Sequence, residues 1–179
     1  RIIVMTRTAV RYVAEAFGTP QERIAYIPHG TPQPPRKDRS AIRERLGWDG
    51  RKVVMSFGLL GRGKGLETII RALPGLIRRV PDAMYAIVGR THPEVVKFEG
   101  ESYREELRAL AAELGVKDHL VMIDRYLGED ELAEMLTACD VYATPYPGMA
   151  QITSGTLAYA VGLGRPVLST PYVYARDLL

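Results

Sequence analysis

The clearest chemical potential in this sequence lies in one run, Gly58-Leu59-Leu60-Gly61-Arg62-Gly63-Lys64-Gly65. Glycines lack a Cβ, so their backbone N–H groups can come close to an anion. Arg62 and Lys64 add charge-assisted donors within the same short span. An apolar run precedes the loop and a helical pattern follows it, so the positive end of a helix joins the cations. Gly58, Gly61, Gly63 and Gly65 with Arg62 and Lys64 therefore describe a cradle for a diphosphate. A plain tight turn is the alternative, but two cations inside a glycine cluster are costly to place without an anion. Gly58, Gly63 and Lys64 also satisfy the G-x-x-x-x-G-K pattern of nucleotide triphosphatases. Gly65 then stands where a Ser or Thr would bind magnesium, which argues against that chemistry. The dinucleotide fingerprint fails as well. Its glycine spacing is not met, and Gly89-Arg90 ends the next strand in place of an acidic residue.

Two further loops carry polar groups. Gly89 to Glu101, with Arg90 and His92, is long for a strand-to-helix connection, which marks either function or a surface excursion pinned by Pro93. Pro145 to Thr156 ends at a helix start, where Ser154, Gly155 and Thr156 offer N–H groups and hydroxyls for a second anion. Simple capping by Thr153 or Ser154 would explain one residue but not the adjacent Gly155. No metal site is expected. His29, His92 and His119 lie far apart, and no paired-carboxylate motif sits at a strand end. Asp124 with Arg125 reads as an ion pair. Thr153-Ser154-Gly155 lacks the preceding pattern of a serine-hydrolase elbow. Cys139 is the only cysteine. It can form no intrachain disulfide, which fits a reducing, cytoplasmic setting. With no histidine near it in sequence, it reads as buried packing.

These loops need elements to hold them. Hydrophobic residues make up 46% and charged residues 25% of the 179 residues, which suffices for a core. The net charge of +3 favours anionic ligands. The basic residues are scattered, so a nucleic-acid face is not expected. Arg36, Lys37 and Arg39, interrupted by Asp38, read as a solvated linker. No apolar run is long enough to span a membrane, so membrane association is not indicated.

Strands are predicted at Ile2 to Met5, Ile24 to Ile27, Lys52 to Phe57, Met84 to Val88, His119 to Ile123, Asp140 to Thr144 and Pro166 to Ser169. Helical spacing follows most of them. Leu66, Ile69, Ile70, Leu73, Ile77 and Val80 form one stripe. Ser40 is a cap for a helix ending at Leu46, and Ser102 with Glu105 spells a capping box. A helix is expected to begin at Ala175. Both ends look cut, so the chain reads as part of a larger protein. The proline-dense stretch from Thr31 to Asp38 is the best linker candidate. Alternation of strands and helices predicts an α/β fold, with a parallel sheet covered on both faces. Ligands of such sheets bind beyond the carboxyl ends of the strands.

Assembled in order, Pro28-His29-Gly30, the Gly58–Gly65 loop, Ile87-Val88-Gly89, Ala138-Cys139-Asp140-Val141-Tyr142 and Gly164-Arg165-Pro166-Val167 resemble the group 1 glycosyltransferases. The resemblance covers essentially the whole chain. It implies a GT-B fold, of which this chain is the Rossmann-like C-terminal half. Residues 1–30 would be the end of the N-terminal domain and the connection, and residues 31–179 the nucleotide-sugar-binding domain, truncated at its C-terminus. It implies retaining transfer from a GDP- or UDP-sugar, with no cofactor and no divalent metal. The acceptor would be contacted mainly by the missing N-terminal domain, and the fragment alone would be inactive.

Lys64 matches the family lysine that contacts the donor diphosphate. The family arginine falls on Leu59, so Arg62 is expected to substitute for it. The two family glutamates fall on Gln151 and Tyr159, which are expected to touch the sugar and the ribose. Arg90 and the Ser154-Gly155-Thr156 helix start complete the expected donor site. Two other readings compete. One is a same-fold nucleotide-sugar epimerase or phosphorylase. The other is a non-catalytic nucleotide-sugar-binding module, motivated by the lost glutamates.

Overall fold

A computed structural model describes residues 1–179. Strands β3 (Lys52–Phe57), β4 (Ala83–Val88), β5 (Leu120–Ile123), β6 (Val141–Thr144) and β7 (Val167–Ser169) form one parallel sheet in the order β5-β4-β3-β6-β7. Strands β1 (Ile2–Val4) and β2 (Ile24–Tyr26) form a separate two-stranded parallel sheet. All six residues of β4 are buried, as expected of a strand covered on both faces.

Each face has its own core. On one, α2 (Arg39–Leu46) and α6 (Glu129–Ala138) pack with Val53, Met55, Met84 and Tyr142. On the other, α3 (Leu66–Ile77) and α5 (Ser102–Glu113) pack over Tyr85 and Ile87. The predicted stripe of α3 buries Leu66, Ile69, Ile70 and Leu73. Each such side chain contributes roughly 2 kcal/mol of apolar burial. The helix stops at Ile77, so Val80 lies beyond the stripe. The remaining helices are α1 (Arg7–Phe17), α4 (Pro93–Glu99), α7 (Gly155–Gly162) and α8 (Val173–Leu178), the last beginning two residues before the predicted Ala175.

Several local expectations are corrected. Asp38, not Ser40, caps α2: its carboxylate accepts from the Ser40 N–H at 3.0 Å. The basic linker cluster is anchored, with Lys37 on Glu134 and Arg39 on Asp140, each at 2.8 Å. Burial raises the Asp140 carboxyl. The Val53 N–H, Arg39 and Arg43 pull it lower still, and the net effect holds it below its ordinary value. Part of the predicted loop 89–101 is helical. Pro93 opens α4, His92 Nδ1 accepts from the Glu94 N–H at 3.2 Å, and Gly100 closes it. The Ser102 and Glu105 capping box does not form. Glu101 sits at that cap, and its carboxylate turns to Thr91 and Arg104 instead. Asp124 and Arg125 do not pair with each other. Asp124 meets Arg104 at 2.9 Å, and Arg125 meets Glu131. Cys139 is fully buried, and desolvation pushes its thiol up to about 12, so it is inert packing.

Candidate functional site

Strand order reverses between β3 and β6, because the chain leaves β3 toward β4 and β5 but places β6 and β7 on the opposite side. Loops after two such strands diverge and leave a crevice at their carboxyl ends. The Gly58–Gly65 loop and the Pro145–Thr156 loop are those loops. Two glycines make the crevice possible. Gly89 has φ +132°, and a Cβ there would lie 2.1 Å from the Gly58 carbonyl oxygen. Gly58 has φ +124°, and its Cβ would meet Thr156 Cγ2 at 3.3 Å and Lys64 Nζ at 4.0 Å.

Beyond Gly58 the chain continues the ladder briefly, with the Leu60 N–H on the Arg90 carbonyl at 2.8 Å. A 3-10 turn over Arg62–Lys64 follows, closed by the Lys64 N–H on the Gly61 carbonyl at 2.9 Å. Gly61 is extended and Gly63 faces open space, so neither is sterically required. Gly65 is different. It has φ +61°, and a Cβ would lie 2.3 Å from the Pro145 carbonyl oxygen. The hydroxyl side chain of a triphosphatase loop cannot be housed there.

Lys64 reaches across the crevice. Its ammonium donates to the Tyr146 hydroxyl at 3.1 Å and lies 4.6 Å from the Tyr146 ring centroid. Because Tyr146 accepts from Lys64, its own proton is free for Thr156 Oγ1 at 3.0 Å. Thr156 Oγ1 in turn lies 3.2 Å from Ser154 Oγ. Ser154 caps α7, accepting from the Leu157 N–H at 3.3 Å. The Gly155 and Thr156 N–H groups have no partner in the protein. Lys64 thus keeps two of its three N–H donors free beside two unpaired backbone donors and a helix dipole. That arrangement holds a doubly charged anion.

Arg62 does not join it. Its guanidinium turns outward, donating to Glu106 at 2.7 Å through both amino groups and to Glu99 at 3.0 Å, above the Tyr103 ring. The two carboxylates raise its pKa further, with Glu106 the larger cause. They come from α4 and α5, too far along the sequence for the loop alone to reveal them.

Gln151 stays within its own loop. Its amide donates to the Thr153 carbonyl at 2.9 Å, and its carbonyl accepts from the Tyr174 N–H at 3.0 Å. The Tyr159 ring packs between His29 at 5.7 Å and Phe57 at 6.2 Å, centroid to centroid. Arg90 borders an open cavity of about 570 Å³ that begins at Gly58 and Leu59 and continues to Arg125 and Tyr126.

Tyr146 and His29 belong to this site although the loop patterns do not single them out. Tyr146 lies between two prolines at the end of β6, which was its only signal. A Cβ on Gly155 would meet His29 Nε2 at 2.7 Å, so the imidazole fills the space a side chain would take. His29 Nδ1 lies 2.7 Å from the Gly30 carbonyl oxygen, to which it donates, so Nε2 is left toward Gly155. No group of three or more His, Cys, Asp or Glu side chains converges on a metal-sized site. No helix is long and apolar enough to cross a membrane.

Known proteins share this arrangement. Residues 38–149 match the model of the family described as glycosyl transferases group 1. A GDP-mannose-dependent alpha-(1-6)-phosphatidylinositol monomannoside mannosyltransferase of Mycolicibacterium smegmatis is 38% identical over 136 residues, or 74% of this chain and 32% of that protein. The counterpart in Mycobacterium tuberculosis is 34% identical over the same length. The chain therefore spans about a third of the length of these relatives. The crystal structure of Anabaena HepE in complex with UDP and glucose superposes with a TM-score of 0.79 at 21% identity, covering 99% of this chain and 46% of that one. WaaG, a glycosyltransferase involved in lipopolysaccharide biosynthesis, superposes at 0.68 with 20% identity, over 97% of this chain and 45% of that one. Both establish the Rossmann-like α/β fold of a GT-B half. With the family model spanning most of the sequence, the chain belongs to the group 1 glycosyl transferases.

Proposed function

We propose that this chain binds the donor of a retaining glycosyltransferase, a GDP- or UDP-sugar whose diphosphate lies in the crevice between β3 and β6. The observation that carries the reading is the meeting of Lys64, Tyr146 and Thr156 with the open N–H groups of Gly155 and Thr156. Departure of a nucleoside diphosphate develops charge on phosphate oxygens. Lys64 and the α7 N-terminus stabilise that charge in place, with no reorganisation at the moment of reaction. The cavity at Gly58, Leu59, Arg90 and Tyr126 takes the nucleoside, since it opens from the same Gly58 that faces Lys64. Residues 31–179 form the donor domain. Residues 1–30 belong to the acceptor-binding half, which presents the acceptor hydroxyl across a closing cleft. GDP-mannose is the first donor to test, because relatives more than 30% identical carry that dependence in their names.

One observation favours a second reading, a non-catalytic nucleotide-sugar module. No carboxylate stands at Gln151 or Tyr159, and the Gln151 amide is held by its own loop. A panel of nucleotide sugars offered to the intact protein separates the two. Transfer or donor hydrolysis with at least one sugar is expected. Binding without either would establish the module.

A further inference from the structure

The cavity assigned to the nucleoside lies between the loops that follow β4 and β5, and one buried side chain ties those loops together. Arg104 of α5 is 1% exposed. Its Nε donates to Glu101 at 3.1 Å. Its Nη2 donates to the Gly89 carbonyl at 2.9 Å, to Thr91 Oγ1 at 3.3 Å and to Asp124 at 2.9 Å. Its Nη1 is buried with no partner at all. A guanidinium buried this deeply, with one amino group unpaired, is a poor source of stability. An apolar side chain of similar length would fill the space at lower desolvation cost.

What the arginine supplies instead is spacing. Gly89 and Thr91 belong to the loop after β4, Asp124 to the loop after β5, and Glu101 to the start of α5. The immediate neighbours of those anchors, Arg90 on one side and Arg125 and Tyr126 on the other, line the cavity. We infer that Arg104 is a positioning residue for the nucleoside end of the donor, fixing the width of the cavity between the two loops without touching the ligand. The inference rests on the donor-binding reading above. It does not extend to the diphosphate end, because Lys64, Tyr146 and Thr156 share no hydrogen bond with Arg104 or its partners.

The test compares two probes on the intact protein. GDP and UDP use both ends of the site, whereas inorganic pyrophosphate uses only the Lys64 end. Arg104→Met should weaken the tighter nucleoside diphosphate by about tenfold, the scale of one lost charge-assisted contact, and leave pyrophosphate within about twofold. Arg104→Lys, which keeps the charge but cannot reach all the anchors, should fall between wild type and Arg104→Met. Folding should survive, because the side chains of Asp124 and Glu101 are 44% and 42% exposed and water can replace the lost cation. If Arg104→Met does not fold, Asp124→Asn gives the same readout with the arginine in place. Equal loss of both probes, or loss of neither, overturns this inference alone. Wild-type protein that binds neither GDP nor UDP overturns the donor-binding reading and this inference with it.

Discussion

Lys64→Ala is expected to weaken nucleoside diphosphate binding by about 50-fold, while Arg62→Ala changes it by less than about twofold. Isothermal calorimetry on the two variants checks both numbers. The contrast follows from where the cations point. Lys64 lies between Gly58 and Tyr146 and is bound only to a neutral hydroxyl, so its charge remains available to an anion. Arg62 is already satisfied by Glu99 and Glu106 on the outer side of the loop. Removing Lys64 strands no buried partner, because Tyr146 keeps its bond to Thr156. The loss therefore falls on binding and not on folding. Equal losses in the two variants would mean that Arg62 leaves its carboxylates when an anion arrives.

Gly89→Ala is expected to destabilise the protein by about 3 kcal/mol or more, read as a shift in urea midpoint at unchanged slope. Two costs combine. The residue has φ +132°, a backbone conformation that side chains rarely adopt, and its new Cβ would sit 2.1 Å from the Gly58 carbonyl oxygen. The obstacle is backbone, so no rotamer change relieves it, and the loops after β3 and β4 must separate. Those loops border the cavity at Gly58 and Arg90, so the fraction that still folds should also bind nucleoside diphosphate more weakly. Gly63→Ala is the control. Its Cβ meets nothing within 4 Å, and its stability should stay within about 0.5 kcal/mol of wild type.

The comparison of sequence with structure has a consistent physical pattern. The strands and the larger helices were legible, because burial on two faces writes continuous apolar runs, as in β4, and burial on one writes a stripe, as in α3. The glycine loop and the α7 start were legible because positive φ and open N–H groups demand particular residues. Partners far apart in sequence were not legible. Nothing local to Arg62 foretells Glu106, and nothing local to Asp124 foretells Arg104. Each lost expectation is of this kind: a charged group was paired with its neighbour in sequence, whereas the fold supplied a different partner from another element. Tyr146 escaped notice for the same reason, since its role exists only once Lys64 crosses from the opposite loop. The helix α4 was hidden because Pro93 was read as a break, although proline suits a first helical position.

The central claim is that the crevice between β3 and β6 holds the diphosphate of a nucleotide. Titrating GDP, UDP and ADP separately into the intact protein by calorimetry tests it most directly. The account predicts one-site binding of at least one of the three, competed by inorganic pyrophosphate and lost in Lys64→Ala. Binding of none of them, or binding that Lys64→Ala leaves unchanged, would contradict it.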